Sequence, residues 1–277
     1  MLAILLALGA SAAWGLGDFL GGVKARVLPA LSVLAASQPV GLSLLAIAVA
    51  IRGHGPPGAS VLWACLAAVF GTSGLVAFYR GMAAGAISVV APIAGTAAAV
   101  PVIWGLARGE HPSGLQELGF VLALGGVVAT SWERTPGRTR VAAGVGWAAL
   151  TLVAFGGYYV PMHAASRGDF LWASLVFRST STSLVWLTVL ALRRLPRGLR
   201  PHLAAIAAIG VFDTAGNVFF AAASQEHGLL SVVSVLASLY PLVTVLLARL
   251  ALGERVQRTQ EAGVVVTLAG VALISAG

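Results

Sequence analysis

Gly109-Glu110-His111-Pro112-Ser113-Gly114-Leu115-Gln116-Glu117-Leu118-Gly119 and Gly253-Glu254-Arg255-Val256-Gln257-Arg258-Thr259-Gln260-Glu261-Ala262-Gly263 share Gly, Glu, Gln, Glu and Gly at one internal spacing. The match extends outward on both sides. Gly126-Val127 corresponds to Gly270-Val271 and Ser131 to Ser275. Gly85 with Ser88-Val89-Val90 corresponds to Gly228 with Ser231-Val232-Val233, the offset being one residue less, and Trp14-Gly15 corresponds loosely to Phe155-Gly156. So many coincidences at fixed spacing indicate duplication of one unit, with repeats expected over residues 1–134 and 141–277.

Composition says what that unit is. Hydrophobic residues make up 58% of the 277 residues and charged ones only 9%, gathered in short clusters between long apolar stretches. Crossing the hydrocarbon core of a bilayer takes roughly 20 apolar residues. Ten such spans fit, over 2–22, 30–51, 60–79, 86–107, 115–132, 142–162, 170–192, 202–222, 229–250 and 260–276. The fold class predicted is therefore an all-α integral membrane protein, ten transmembrane helices in two five-helix repeats. Polar breaks such as Lys24-Ala25-Arg26 before Pro29, and Glu133 to Arg140, separate the spans. Trp63, Trp104, Trp132, Trp147 and Trp172 fall near span ends, as interfacial anchors do. The first apolar run has no basic leader segment and reads as a span.

Five is an odd number, so the second unit enters the membrane upside down relative to the first. Inverted repeats support two related arrangements, one open to each side, with a site between the halves. This points to transport by alternating access, although a duplication without a transport role has the same span count.

The Gly-Glu at the end of the fourth and ninth spans, the Gln and Gly that open the next ones, Pro241 and Trp14-Gly15 resemble the EamA-type unit of the ten-span drug/metabolite transporter superfamily. The resemblance covers essentially the whole chain, once per half. It implies a multi-pass protein of the plasma membrane, the inner membrane in bacteria, that exports or imports amino acids or other small metabolites. The working unit expected is a monomer or homodimer. The first half departs from the pattern, with Ala97 standing where Pro241 stands and prolines at Pro92 and Pro101 instead, so its kink is expected to be displaced.

An ionisable group within a span costs several kcal/mol unless paired or wet, and so marks a functional candidate. Asp18, Arg178 and Asp213 qualify. The repeat-mates of Arg178 and Asp213, Ala36 and Phe70, are apolar, so the fold does not need these charges in both halves. Two readings stay open: a site for substrate or for protons as coupling ion, or a structural Arg178–Asp213 pair with Asp18 reaching Lys24. Gly15, Gly17 and Gly21 are expected to leave space beside Asp18. Tyr158, Tyr159 and His163 lie on a span expected to bend at Gly156-Gly157 and Pro161, where tyrosines suit a cavity and His163 suits either a titrating role or a span end. Asn217 falls one turn after Asp213 on the same face, and Tyr240 precedes Pro241. Trp14 lies away from the interfacial positions, placed to stack on a substrate or to pack between helices. Glu110 and Glu254 read as helix-end structural residues that cap or pair in the short turns. Gly17-x-x-x-Gly21 and Gly81-x-x-x-Gly85 permit close helix approach.

The net charge of +8 raises nucleic acid as a partner, but the basic residues sit at span ends, where anionic lipid headgroups and topology account for them. Most follow odd-numbered spans, whereas only Arg52, Arg108 and Arg167 follow even-numbered ones, which predicts both termini outside. The one cysteine, Cys65, allows no internal disulfide. There is no H-E-x-x-H, G-x-S-x-G, C-x-x-C or phosphate-binding G-x-x-x-x-G-K-[ST], so no enzyme, ATP-driven pump, metal or cofactor is indicated. The partners expected are a small-molecule substrate and the lipid bilayer. The alternative class is a membrane-embedded lipid-handling protein or enzyme without transport activity.

Overall fold

The computed structural model describes residues 1–55, 58, 60–83, 94, 96–131, 138–226, 229–252 and 258–277. Gly85 with Ser88-Val89-Val90, Pro92, Trp132 to Gly137, Gly228 and Gly253-Glu254 lie outside the described residues. The regular structure described is helical. The first half holds α1 (Leu2–Ala25), α2 (Ala30–Arg52), α3 (Ser60–Ala83), α4 (Ala99–Ala107) and α5 (Gly114–Ser131). The second holds α6 (Arg138–Ser166), α7 (Phe170–Ala191), α8 (Leu203–Gln225), α9 (Leu230–Ala237), α10 (Tyr240–Leu252) and α11 (Arg258–Ala276). Among the described residues five helices are long and apolar enough to cross a membrane by length and composition: α1, α2, α3, α7 and α8. The apolar helical stretches Thr96–Ala107, Leu230–Thr244 and Glu261–Ile274 are shorter.

The side chains are arranged for a lipid surround. Leu44, Ile47, Ile51, Leu62, Val69, Leu187 and Leu190 point outward, while Ser11, Asp18, Gln38, Thr72, Arg178, Thr214 and Asn217 are buried. In water this distribution would put apolar surface in contact with solvent and polar groups in the core, the reverse of the usual ordering.

Packing between the halves comes in matched pairs. α1 lies on α8 as α6 lies on α3, α2 lies on α8 as α7 lies on α3, and α1 meets α10 as α6 meets α4. α2 faces α7 and α5 faces α11, each against its own counterpart. This is the contact pattern of a two-fold relation between the halves. Glycines recognised as repeat-mates carry the α5–α11 contact. A Cβ on Gly119 would lie 2.8 Å from Gly270 O, one on Gly270 would lie 2.8 Å from Gly119 O, and one on Gly126 would lie 2.7 Å from Gly263 O. Backbone approach this close admits no side chain.

The ninth span is not one helix. It breaks at Ser238-Leu239 between α9 and α10, so the expected continuous span over 229–250 is corrected. Pro241 has no N–H to continue the ladder, yet is tolerated in the first turn of α10. In the first half a 3₁₀ turn at Thr96–Ala98 precedes α4. The irregularity is thus at Ala97, the counterpart of Pro241, and Pro101 sits in the first turn of α4. Pro92, the other proline on which a displaced kink was expected, lies outside the described residues.

The Gly-Glu motif has a physical explanation. Gly109 takes a left-handed φ of 87° beyond the end of α4. Its N–H bonds Leu106 O and the Glu110 N–H bonds Gly105 O, at 3.1 and 2.9 Å, closing a Schellman motif. The Glu110 carboxylate then reaches into the other half. It accepts from Leu230 N at 2.7 Å, Ser231 N at 3.0 Å and Ser231 Oγ at 2.6 Å, capping the start of α9. Glu110 does cap a helix, though across the repeat rather than in its own turn. Next to it Ser113 and Gln116 form a reciprocal capping box at α5, with Ser113 N donating to Gln116 Oε1 and Gln116 N to Ser113 Oγ.

Two expectations about glycine are corrected. Gly15, Gly17 and Gly21 do not leave open space beside Asp18. They admit Val243, the Asp213 backbone and the Tyr79 hydroxyl respectively. Gly156 and Gly157 do not border open space either, though both lie in α6, which runs on through Pro161. They seat Val100 and the Phe70 ring.

Gly126→Ala should lower stability by roughly 1–3 kcal/mol through overpacking against α11. Gly125→Ala, where a Cβ meets nothing within 4 Å, should be neutral or slightly stabilising. Thermal unfolding of the two purified variants in detergent checks the contrast. Equal midpoints would remove the glycine contact as a structural element.

Candidate functional site

Helices from both halves converge on one cavity. α1 contributes Trp14 and Asp18, α2 Gln38, and α3 Gly71, Thr72 and Leu75. α6 contributes Phe155, Tyr158 and Tyr159, α7 Phe177, Arg178 and Ser181, α8 Asp213 and Asn217, and Tyr240 stands at the start of α10. The volume is about 60 Å³. A buried water needs roughly 10–15 Å³ on the same measure, so the space suits a handful of heavy atoms.

The charges form one pair and one remainder. Arg178 Nη1 lies 2.7 Å from Asp213 Oδ2, with the Arg178 side chain 1% exposed and that of Asp213 19%. The guanidinium is only half used, since Nε and Nη2 have no partner. It also stands 5.7 Å from the centre of the Phe177 ring. Asp18 is buried and, among the described residues, makes no ion pair or hydrogen bond. The structural pair therefore forms, but Asp18 does not reach Lys24.

Neutral hydrogen bonds order the rest. Tyr158 OH donates to Asn217 Oδ1 at 2.7 Å, and Asn217 Nδ2 donates to Asp213 O at 2.6 Å, so Asn217 does share the Asp213 face. Thr72 Oγ1 donates to Ser181 Oγ at 2.7 Å, joining α3 to α7. Both polar atoms of the Gln38 amide, and the Tyr240 hydroxyl, are buried without partners. The aromatic wall centres on Trp14, whose ring meets those of Tyr158, Tyr159 and Tyr240 edge-on at 5.9, 6.3 and 6.5 Å. Its indole rests on Gly216 of α8. Trp14 thus packs between helices and lines the cavity at the same time.

Eight of the nine residues singled out in the sequence line this cavity. His163 does not: it is buried further along α6, towards Arg167 and Glu110. Sequence reasoning missed Gln38, Thr72, Ser181, Phe155 and Phe177. Gln38 carried a readable signal, an amide inside an apolar span immediately before Pro39. Thr72 and Ser181 carried none, because a hydroxyl in an apolar helix ordinarily bonds its own backbone, as Ser174 and Thr188 do with Phe170 O and Leu184 O.

Comparison with known proteins adds the context. The sequence model of the EamA-like transporter family matches residues 1–132 and 142–276, once in each half. No curated protein sequence matches. Among solved structures 27 chains match. One, titled only "Crystal structure of protein", superposes with a TM-score of 0.76 at 16% identity, covering 98% of this chain and 95% of that one. At that identity the likeness shows the fold alone.

Breaking the buried pair by Arg178→Met should cost about 3 kcal/mol, because Asp213 is left as an uncompensated charge. The double variant Arg178→Met/Asp213→Leu should recover most of the loss. Unfolding midpoints of the single and double variants give the coupling. Additive losses would mean that the two side chains do not interact.

Proposed function

The chain belongs to the EamA-like transporter family, and from that premise we propose that it is a secondary transporter that moves a small metabolite, of about amino-acid size, by alternating access. As a member it is a multi-pass membrane transporter of the drug/metabolite type. The reading adds ten crossings in two inverted halves, export as the direction, and the cavity on Trp14, Asp18, Tyr158, Tyr159, Arg178, Asp213, Asn217 and Tyr240 as the solute site.

One observation carries this reading. A cavity of largely apolar and aromatic lining, with Asp18, Arg178, Asp213 and Asn217 among its walls, lies where α1, α2 and α3 of one half meet α6, α7 and α8 of the other, and it touches the interrupted span at Tyr240. Sites in repeat transporters of this kind form beside discontinuous helices, where freed backbone is tolerated because protein or cavity covers it. Rocking one half against the other changes which side the cavity meets without rebuilding it. The matched packing of the halves supports two such arrangements of similar energy. Asp18 is the candidate for proton coupling, since it faces the cavity without a fixed partner.

The test uses purified protein in proteoliposomes. With Cys65 replaced by Ser, a cysteine at Thr72 should react with an impermeant thiol reagent from either face, with the balance shifting when a transported solute is added. Proton flux driven by solute should be abolished by Asp18→Asn and sharply reduced by Asp213→Asn. A protein that moves no solute, and whose cavity is reached from one face only, would be incompatible with the proposal. Solute movement with no proton flux in the unaltered protein would make it a passive facilitator.

A further inference from the structure

We propose that the solute is a small organic cation of net charge +1, an amine or quaternary ammonium bearing a neutral hydrogen-bonding group. Its cationic head sits between Asp18 and the Trp14–Tyr240 wall. The inference rests on reading the cavity as the solute site and narrows what that site takes.

The charge balance of the cavity leads to it. Two carboxylates and one guanidinium line the space. Arg178 and Asp213 neutralise each other at 2.7 Å, which leaves Asp18, buried and unpaired, as the one acid of the cavity whose ionised form has no counter-charge. An unpaired carboxylate in a low-dielectric interior is costly, and a cation placed beside it relieves that cost. A monocation brings the site to neutrality. A zwitterion leaves the excess in place, and an anion on Arg178 sets a second negative charge beside Asp213.

The walls suit the same guest. Ammonium groups are attracted to aromatic faces, Trp most strongly. Trp14 is flanked edge-on by Tyr159 and Tyr240, and Asp18 lines the same cavity, so carboxyl and rings bound one subsite. The unused polar atoms supply the other subsite: both atoms of the Gln38 amide, two nitrogens of Arg178 and the Tyr240 hydroxyl. They match a hydroxyl or carbonyl on the guest. The volume limits that guest to a handful of heavy atoms.

Two matched series test this by thermal unfolding of the purified chain in detergent at fixed ionic strength. In one, ethanolamine, glycine and ethylene glycol share a small skeleton as cation, zwitterion and neutral molecule. In the other, choline, glycine betaine and 3,3-dimethylbutanol do the same with a larger head. A ligand that binds the folded state raises the midpoint saturably. The cation of at least one series should bind about tenfold or more tightly than its zwitterionic and neutral analogues. Asp18→Asn should erase that preference without lowering the ligand-free midpoint, and Asp18→Glu should retain it. A zwitterion or neutral analogue that binds as tightly as the cation overturns the charge assignment but leaves the cavity a solute site. No shift with any of the six also overturns it, and the two-sided accessibility of Thr72→Cys then decides separately whether the transport reading stands.

Discussion

A helix interrupted inside a membrane must find partners for the backbone groups that the interruption frees, because no water is there to take them. The break at Ser238-Leu239 sets that constraint, and much of the structure answers it. At the break Ser238 N–H bonds Ser234 O, Leu239 N–H bonds Leu236 O and Ser238 Oγ donates to Val235 O, while the far end of α9 is capped by Glu110 from the opposite half, through two backbone N–H groups and one hydroxyl. Pro241 lies in the first turn of α10, where its missing donor leaves nothing unsatisfied. At the other end of the α4 turn, Gly109 closes the helix so that the next side chain can make that reach. The motif is therefore a device in two parts. Glycine stops one helix and glutamate starts another, tying the halves together at the interrupted span. The break also turns Tyr240 into the cavity, against the Trp14 ring.

Small residues pack the scaffold and leave the polar work to a few positions. Gly15, Gly17 and Gly21 bring α1 against α10, α8 and α3, and Gly41 and Gly210 bring α2 against α8. Contacts of this kind need no charge, and they allow a chain with so few charged residues to hold together in lipid, where the hydrophobic effect no longer drives helices together. Burying Arg178 is then an expense that packing does not require. Its single pairing, with two donors left over, is a poor way to stabilise a helix pair.

The sequence displayed the duplication and with it the class of fold. The glycines that revealed the repeat, at 119, 126, 263 and 270, are the ones that meet at the contact between α5 and α11, so what was legible was also structural. Asp18, Arg178, Asp213 and Asn217 were legible because charge and amide are rare in apolar spans. Glycine was misread beside Asp18 and in α6. A stretch of small residues looks the same in sequence whether it borders a void or a neighbouring helix, and only tertiary contact distinguishes Gly21 under Tyr79 from an open face. In the ninth span the proline marked the place of the irregularity but not its form. Pro241 marks a place where a ladder bond is missing, and whether the chain bends or breaks there depends on what covers the freed carbonyls. The hydroxyls of Thr72 and Ser181 were invisible because their bond joins α3 to α7, a pairing no local pattern encodes.

The matched packing and the unmatched chemistry are separable, and that separation is informative. Contacts that obey the two-fold relation, such as α1 on α8 and α6 on α3, recur in both halves and serve the scaffold. Arg178 and Asp213 do not recur. Ala36 stands in place of the first, and Phe70, in place of the second, fills the notch at Gly157. Matched contacts of this kind are what two related arrangements of one frame require, and the alternating-access reading proposed above would set its single solute site on the charges that do not recur. Substitution at the recurring positions acts on both halves of the frame at once and so bears on stability. Substitution where the halves differ acts on one half alone, and at Arg178 and Asp213 it acts through their ion pair.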